Sequence, residues 1–330
     1  MSYTLSMEQN LSDAERFERI HADMTSDQTV VRNVIMDVTG QEALEMTRII
    51  RGESNEVYDI TLADDSSVIT RINHNSGENF AREIQGLDRC RQAGVPVPVV
   101  VGHGTFLDNN RERHYMIEEK LPGQTFHELL RNDSLSAAEA EAITVQAGEV
   151  LAQIHSIPTE GFGALAADGR GKYNSVNEWF SQITAKKELF RDLFNRYGLS
   201  DKFESVFDQL ERADSPLFNK PPHLLHVDYA PKHILVDQGK ITGVIDFEFA
   251  SSGYFGFDIP EWELRDATTA PMSWLLKGYE TIRPLDPADT TGQNLCALNE
   301  YLELLEYYGH KRPSGSITKT CVDAIKKLAA

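Results

Sequence analysis

Residues 226–246, HVDYAPKHILVDQGKITGVID, constrain this chain more than any other stretch. A short apolar segment, Ile234-Leu235-Val236, runs into a turn at Gln238-Gly239-Lys240. A second apolar segment, Ile241 to Ile245, then ends at Asp246. Two short strands joined by a tight turn form a hairpin and bring their outer ends together. Asp228, His233 and Asp246 are therefore expected at one mouth. Phosphoryl transfer needs such a group: a carboxylate to accept an alcohol proton, and ligands to hold Mg²⁺ on nucleotide phosphates.

Upstream, residues 1–45 read as polar helices, with Val30, Val31, Val34, Ile35 and Val38 at helical spacing. They carry no evident chemistry and are expected to form an N-terminal helical extension covering a sheet. From Met46 the pattern changes to a β-meander. Its first two strands flank the polar loop Arg51-Gly52-Glu53-Ser54-Asn55-Glu56, and its third ends near Arg71-Ile72. Small polar groups and backbone N–H in such a loop can cover phosphates, although one glycine alone also suits a plain turn. A helix is expected over residues 79–93. It carries Glu83, 12 residues after Arg71, so a strand-borne cation can meet a helix-borne carboxylate. Gly94-Val95-Pro96-Val97-Pro98 stops that helix. A hairpin over 103–114 follows, and then the breaker-rich segment Glu119-Lys120-Leu121-Pro122-Gly123, read as a hinge.

Beyond the hinge the chain turns helical. Ser136-Ala137-Ala138-Glu139 is a capping-box pattern, and Ile143, Ala147, Val150, Leu151 and Ile154 share one face. His155 reads as a packed histidine at that helix end. More helix is expected over 176–210 and again over 259–310, where Glu261, Glu263 and Asp266 follow Asp246 closely. A last helix covers 316–330.

Composition narrows the function. The 330 residues are 41% hydrophobic and 25% charged, ordinary for a globular protein. No apolar run reaches the ~18 residues that a membrane span needs. The first residues lack the basic and apolar regions of a secretory signal. Cys90, Cys296 and Cys321 are scattered and form no CxxC pair, which fits reduced thiols and a cytoplasmic setting. With 51 acidic against 32 basic residues the net charge is −19, which argues against a nucleic-acid partner and suits a cationic small molecule.

The order of these parts is more telling than any one of them. A polar loop between strands, a strand cation, a helix glutamate, a hinge, a helical region and then HxD…H…ID make the parts list of a two-lobed kinase. The chain resembles the aminoglycoside phosphotransferase family over roughly residues 45–310. Besides the central stretch, the matching segments are Gly52-Glu53-Ser54-Asn55, Arg71 with Glu83, Gly94 to Pro98, and Leu151 to His155 with Gly161-Phe162-Gly163. The resemblance implies an α+β, bilobal, protein-kinase-like fold. It divides into an extension (1–45), an N-lobe of antiparallel sheet plus helix (46–118), a hinge (119–123) and a larger, mainly helical C-lobe (124–330).

The resemblance also implies roles. Asp228 is the catalytic aspartate and Asp246 the metal-binding one. Arg71 stands for the phosphate-binding lysine, with Glu83 as partner. Ser54 and Asn55 lie in the nucleotide loop, while Glu119 to Leu121 meet the purine through their backbone. Asp258 braces the catalytic loop. His233 stands where HxDxxxxN has a metal-binding asparagine, as in the 2″-aminoglycoside phosphotransferases. The implied donor is ATP or GTP with Mg²⁺. The implied acceptor is a small alcohol, first an aminoglycoside or similar cationic antibiotic held by Glu261, Glu263 and Asp266. Two alternatives stand beside this: a kinase of a small metabolite such as an amino alcohol or sugar, and a nucleotide-binding pseudokinase in which His233 marks a degenerate site.

Overall fold

The computed structural model describes residues 18–19, 21–22, 24–50, 54–75, 80–265, 268–311 and 314–329. Helix α1 (Gln28–Thr39) is opened by the Asp27 side chain, which accepts from Thr29 N–H, and is closed by Gly40 at φ 70°. A five-stranded antiparallel sheet follows, from β1 (Ala43–Ile49), β2 (Asn55–Leu62), β3 (Ser67–Asn73), β4 (Val100–Asp108) and β5 (Arg111–Glu119). Its spatial order is β1-β2-β3-β5-β4. The sheet thus begins at Ala43, ahead of the change of pattern at Met46, because Ala43 is buried opposite Leu62.

Alternation sorts the strand side chains to two faces. Val68, Ile72 and Ile117 pack under Val31 and Ile35 of α1, whereas Met116 joins the core on the other side. Arg71 lies between Thr70 and Ile72 in sequence and opposite Met116 in register, so it faces the side where α2 (Ala81–Gln92) packs. The β4–β5 turn, Asn109-Asn110, has both φ values positive, the geometry that matches hairpin twist in a two-residue loop.

The segment after β5 leads to β6 (Gln124–Thr125) and to the short helix α3 (Phe126–Arg131). Gly123, at φ 105°, passes so close to Val236 that a Cβ would stand 2.3 Å from its carbonyl oxygen. Helix α4 (Ala137–Ile154) starts with both bonds of the Ser136–Glu139 capping box. It buries Ile143, Ala147, Val150, Leu151 and Ile154. The hairpin β7 (Phe162–Leu165) and β8 (Gly171–Tyr173) precedes α5 (Val176–Thr184), α6 (Lys187–Arg196) and α7 (Phe203–Arg212). The one long stretch of helix expected here is three helices, because the chain turns at Ala185-Lys186 and again at Gly198, which takes φ 67°.

After β9 (His223–Leu225) comes the hairpin of β10 (Ile234–Asp237) and β11 (Lys240–Val244), paired antiparallel. Strand β12 (Ser251–Gly253) adds to β9 and β7. Helices α8 (Ile259–Arg265), α9 (Met272–Ile282), α10 (Thr290–Glu306) and α11 (Gly315–Leu328) complete the chain. The result is an α+β, two-lobed kinase-like architecture. One core joins Leu87, Cys90 and Met116 of the first lobe to Phe126, Leu151, Tyr229 and Phe247 of the second. A separate core fills the space among α5, α6, α7, α10 and α11. Among the described residues no helix is long and apolar enough to cross a membrane. All three cysteines are buried, and none forms a disulfide.

Candidate active site

The loop from β9 to β10 begins under strain. Val227 takes φ 67°, a conformation costly for a β-branched residue. Asp258 holds it there. Its carboxylate accepts the N–H of Val227 at 2.5 Å and that of His226 at 3.2 Å, and it meets His155 Nε2 at 2.8 Å. Asp228 follows, with its N–H donated to His226 Nδ1 at 3.3 Å. Across the hairpin, Ile245 N–H donates to the His233 carbonyl, which ties the end of the second strand to the turn that carries His233. Asp246 then sits at φ 68°. The hairpin therefore does bring its ends together: one ligand atom each from Asp228, His233 and Asp246 lie within 4.8 Å of one another.

Each of these groups has a specific set of neighbours. His233 Nδ1 lies 2.9 Å from the Asp228 carbonyl oxygen. A carbonyl only accepts, so Nδ1 carries a proton and Nε2 is turned to Asp246 Oδ2 at 3.1 Å. Burial opposes charge on His233, but the carboxylates of Asp228 and Asp246 outweigh it and raise its pKa above the ordinary histidine value. Asp228 is 8% exposed. Its Oδ2 takes Lys232 Nζ at 2.8 Å, while its buried Oδ1 has no hydrogen-bond partner among the described residues. Burial disfavours its charge, yet His233 and Lys232 hold the carboxyl below the usual carboxylate range.

Arg71 bridges the two lobes. One guanidinium nitrogen donates to Glu83 on α2 and the other to Asp246 Oδ1, the latter at 2.9 Å. Burial works against ionisation of Asp246, but Arg71 and then His233 hold its pKa far below the usual value. Among the described residues, carboxylates still outnumber cations here. Glu248 is pushed up to about 7, by burial first and then by Asp246, and burial also raises Glu83 and Glu118. Two carboxylates and an imidazole converging in such a field can bind a dication, which would offset that excess.

The remaining candidates fall at different distances from this centre. Asn55 opens β2 opposite Asn73 of β3 and is buried, with its Oδ1 unpartnered among the described residues; Ser54 precedes it half-buried. Gly52 and Glu53 lie outside the described residues. Glu119 closes β5, and its N–H is donated to Val99, as that of Lys120 is to Ser67. The Leu121 side chain lies over Gly243, where a Cβ would meet it at 2.2 Å. Glu261 is buried on α8. Glu263 accepts from Tyr301 on α10, so its carboxylate is tied to the helical core. Asp266 lies outside the described residues.

Three groups were not assigned to the site from sequence, although Glu300 and Glu303 read as part of an acidic helical segment. Lys232 meets the Asp228 carboxylate; an i, i+4 acid–lysine spacing was the available signal. Glu248 borders Asp246 in an otherwise apolar run. On α10, Asn299, Glu300 and Glu303 share a face. Glu300 is 6% exposed, and its Oε2 has no hydrogen-bond partner among the described residues. Its pKa is raised well above the ordinary value by burial, then by Glu303, Glu261, Asp258 and Asp228. The acidic face that approaches Asp228 is thus built from α8 and α10 together.

Comparison with known proteins agrees with this geometry. The model of the phosphotransferase enzyme family matches residues 45–327. A homoserine kinase of Gluconobacter oxydans is 28% identical over 207 residues, 60% of this chain and 60% of that protein. Hygromycin-B 4-O-kinase of Escherichia coli is 23% identical over 219 residues, 65% of this chain and 60% of that kinase. Those two alignments thus span 60% of each relative's length. The crystal structure of a thermostable aminoglycoside phosphotransferase APH(4)-Ia, in ternary complex with ADP and hygromycin B, superposes with a TM-score of 0.70. That likeness covers 91% of this chain and 97% of the other at 19% identity, and speaks for the fold. From HxD through the hinge to the Arg71–Glu83 pair, the chain belongs to the phosphotransferase enzyme family.

Proposed function

We propose that this chain transfers the terminal phosphoryl group of a nucleoside triphosphate, with Mg²⁺, to the hydroxyl of a small amine-bearing alcohol. The observation that carries the reading is Asp228: a buried carboxylate with one oxygen held by Lys232 and the other without a hydrogen-bond partner among the described residues, beside a ligand cluster of His233 and Asp246. Asp228 Oδ1 orients the acceptor hydroxyl and takes its proton. The loose transition state asks for positioning more than for a strong base, which suits a carboxyl held ionised. Asp246 is the principal metal ligand, with His233 Nε2 turned to the same point; oxygen donors suit Mg²⁺ better than imidazole does. Mg²⁺ held there by Asp246 and His233 would offset the negative charge of the nucleotide phosphates.

Arg71, held by Glu83, presents its charge to those phosphates, and Asn55 with Ser54 covers them from the sheet. The N–H groups of Glu119 and Lys120 are already donated within the sheet, so the purine contact of the hinge falls to Leu121. Glu300, with Glu261 and Glu303, receives the ammonium of the acceptor, since a buried group of carboxylates is relieved by a compact cation. The relatives that act on homoserine and hygromycin B favour an amino alcohol and an aminoglycoside respectively. The buried setting of Glu300 favours the smaller one.

The test is Mg²⁺-dependent turnover with ATP and with GTP against homoserine, other amino alcohols, their amine-free analogues and a set of aminoglycosides. Turnover of an amino alcohol, about 10⁴-fold slower in Asp228→Asn, is the expected result. Equal turnover of an alcohol and its amine-free analogue would remove Glu300 from the acceptor site. Near-normal turnover in Asp228→Asn would remove the base assignment.

A further inference from the structure

The two oxygens of Asp228 are not equivalent. Oδ2 accepts from Lys232 Nζ at 2.8 Å and stands 3.6 Å from His233 Nδ1, whereas Oδ1 has no hydrogen-bond partner among the described residues. Lys232 lies on the 3₁₀ turn Pro231–His233, next to His233, with its Nζ on the base and its side chain 32% exposed. Arg71, another cation of the site among the described residues, donates to Glu83 and Asp246 rather than to Asp228. The acceptor oxygen must lie against Asp228, and the transferred phosphorus must lie between that oxygen and the groups that hold the nucleotide. Lys232 is the cation placed on the acceptor side of that line.

We propose that Lys232 is a catalytic residue of the transfer step: its ammonium fixes Asp228 through Oδ2 and donates a hydrogen bond to an equatorial oxygen of the phosphoryl group in flight. This rests on the reading of Asp228 as the base. The bond from the acceptor oxygen to phosphorus forms while the bond from phosphorus to the nucleoside diphosphate oxygen breaks. The hydroxyl proton passes to Asp228 Oδ1, and Lys232 keeps its protons throughout. An ammonium has three N–H donors on a flexible stem, so it can keep its bond to Oδ2 while another donor follows the moving oxygens. Charge placed where it develops in the transition state lowers kcat when it is removed and leaves ground-state binding little changed.

The experiment compares the native chain, Lys232→Met and Lys232→Arg. Affinity for MgADP and for MgADP with aluminium fluoride, a mimic of the planar phosphoryl group, is measured alongside kcat, KM and melting temperature. For Lys232→Met the expected result is about 10²-fold loss in kcat and in affinity for the fluoride complex. Its MgADP affinity, KM and melting temperature stay near native. Lys232→Arg recovers part of both losses, because it keeps charge and donors with a different geometry. Fluoride-complex affinity and kcat close to native in Lys232→Met would overturn the proposal. So would parallel loss of MgADP affinity and melting temperature, the mark of a structural ion pair. The fluoride complex reads Lys232 without an acceptor. A native chain that binds it with a Lys232-dependent margin, yet phosphorylates none of the alcohols, would therefore fail the proposed function and leave this inference standing. A native chain that does not bind it would sink both.

Discussion

At the scale of single residues, the site depends on a brace that stands behind it. Asp258 takes two backbone N–H groups of the strained His226-Val227 turn and the Nε2 of His155. The other nitrogen of that imidazole, Nδ1, meets the Tyr279 hydroxyl at 3.0 Å. His155 is fully enclosed. Burial lowers its pKa against the pull of Asp258, and Arg283 adds to the lowering. The folded value therefore lies below the unfolded one. The stability it contributes is complete above the unfolded value of about 6.5 and is lost as pH falls toward the folded one, at up to about 1.4 kcal/mol per pH unit. His155→Gln keeps a hydrogen-bonding side chain and cannot titrate. Its melting temperature should lie below native at pH 7.5, and the gap should narrow by pH 5.5. A gap that is constant or widens would exclude a neutral His155 in the fold. The sequence marked His155 as a packed helix-end residue and Asp258 as the brace. Their contact joins positions 103 apart and is visible only once α4 and the segment before α8 have met.

At the scale of elements, patterning served the local reading and missed the contacts. The apolar face of α4 was legible because a 3.6-residue repeat needs no knowledge of the partner. The hairpin of β10 and β11 was legible for the same reason, since alternation and a Gln-Gly turn are local. The partner of α4 is α9, and what lets them approach is a pair of glycines. A Cβ on Gly148 would stand 1.9 Å from the Leu275 carbonyl oxygen, and one on Gly278 would stand 1.8 Å from that of Val145. Helix propensity alone would credit Gly148→Ala with about 1 kcal/mol of stabilisation. The contact reverses the sign. The helices must separate, and a net loss of about 1–3 kcal/mol is expected. Gly315→Ala, at the start of α11 where nothing lies within 4 Å, is the control and should be neutral or stabilising. Melting temperatures of the two variants against the native chain decide it; a stabilised Gly148→Ala would mean that α4 and α9 do not pack this closely. The break of 176–210 into three helices, and the acidic face that α10 shares with α8, were hidden because each depends on how separate segments pack.

At the scale of the whole molecule, the two lobes meet over a shared core, and Arg71 spans them at the site itself. This cation stands on a strand of one lobe, and Asp246 ends the hairpin of the other. The order of motifs was enough to foresee a bilobal, kinase-like fold, because each motif occupies a fixed place in such a fold. The balance of charge inside the cleft was not foreseen. A net charge of −19 says nothing about which carboxylates are buried together. Buried, Glu83, Glu118 and Glu248 make a field that favours a dication, and under the proposed function Asp246, held ionised by Arg71 and His233, would be its first ligand. Binding to the folded state alone stabilises it, by about 2.7 kcal/mol at one hundred times the dissociation constant. ADP with Mg²⁺ should therefore raise the melting temperature of the native chain more than ADP with a chelator does. In Asp246→Asn that Mg²⁺-dependent increment should vanish while the increment from ADP alone persists, because the hinge and Asn55 stay in place. An undiminished Mg²⁺ increment in the variant would move the metal away from Asp246. Loss of both increments would instead show that Asp246 holds the lobes in their nucleotide-binding arrangement through Arg71.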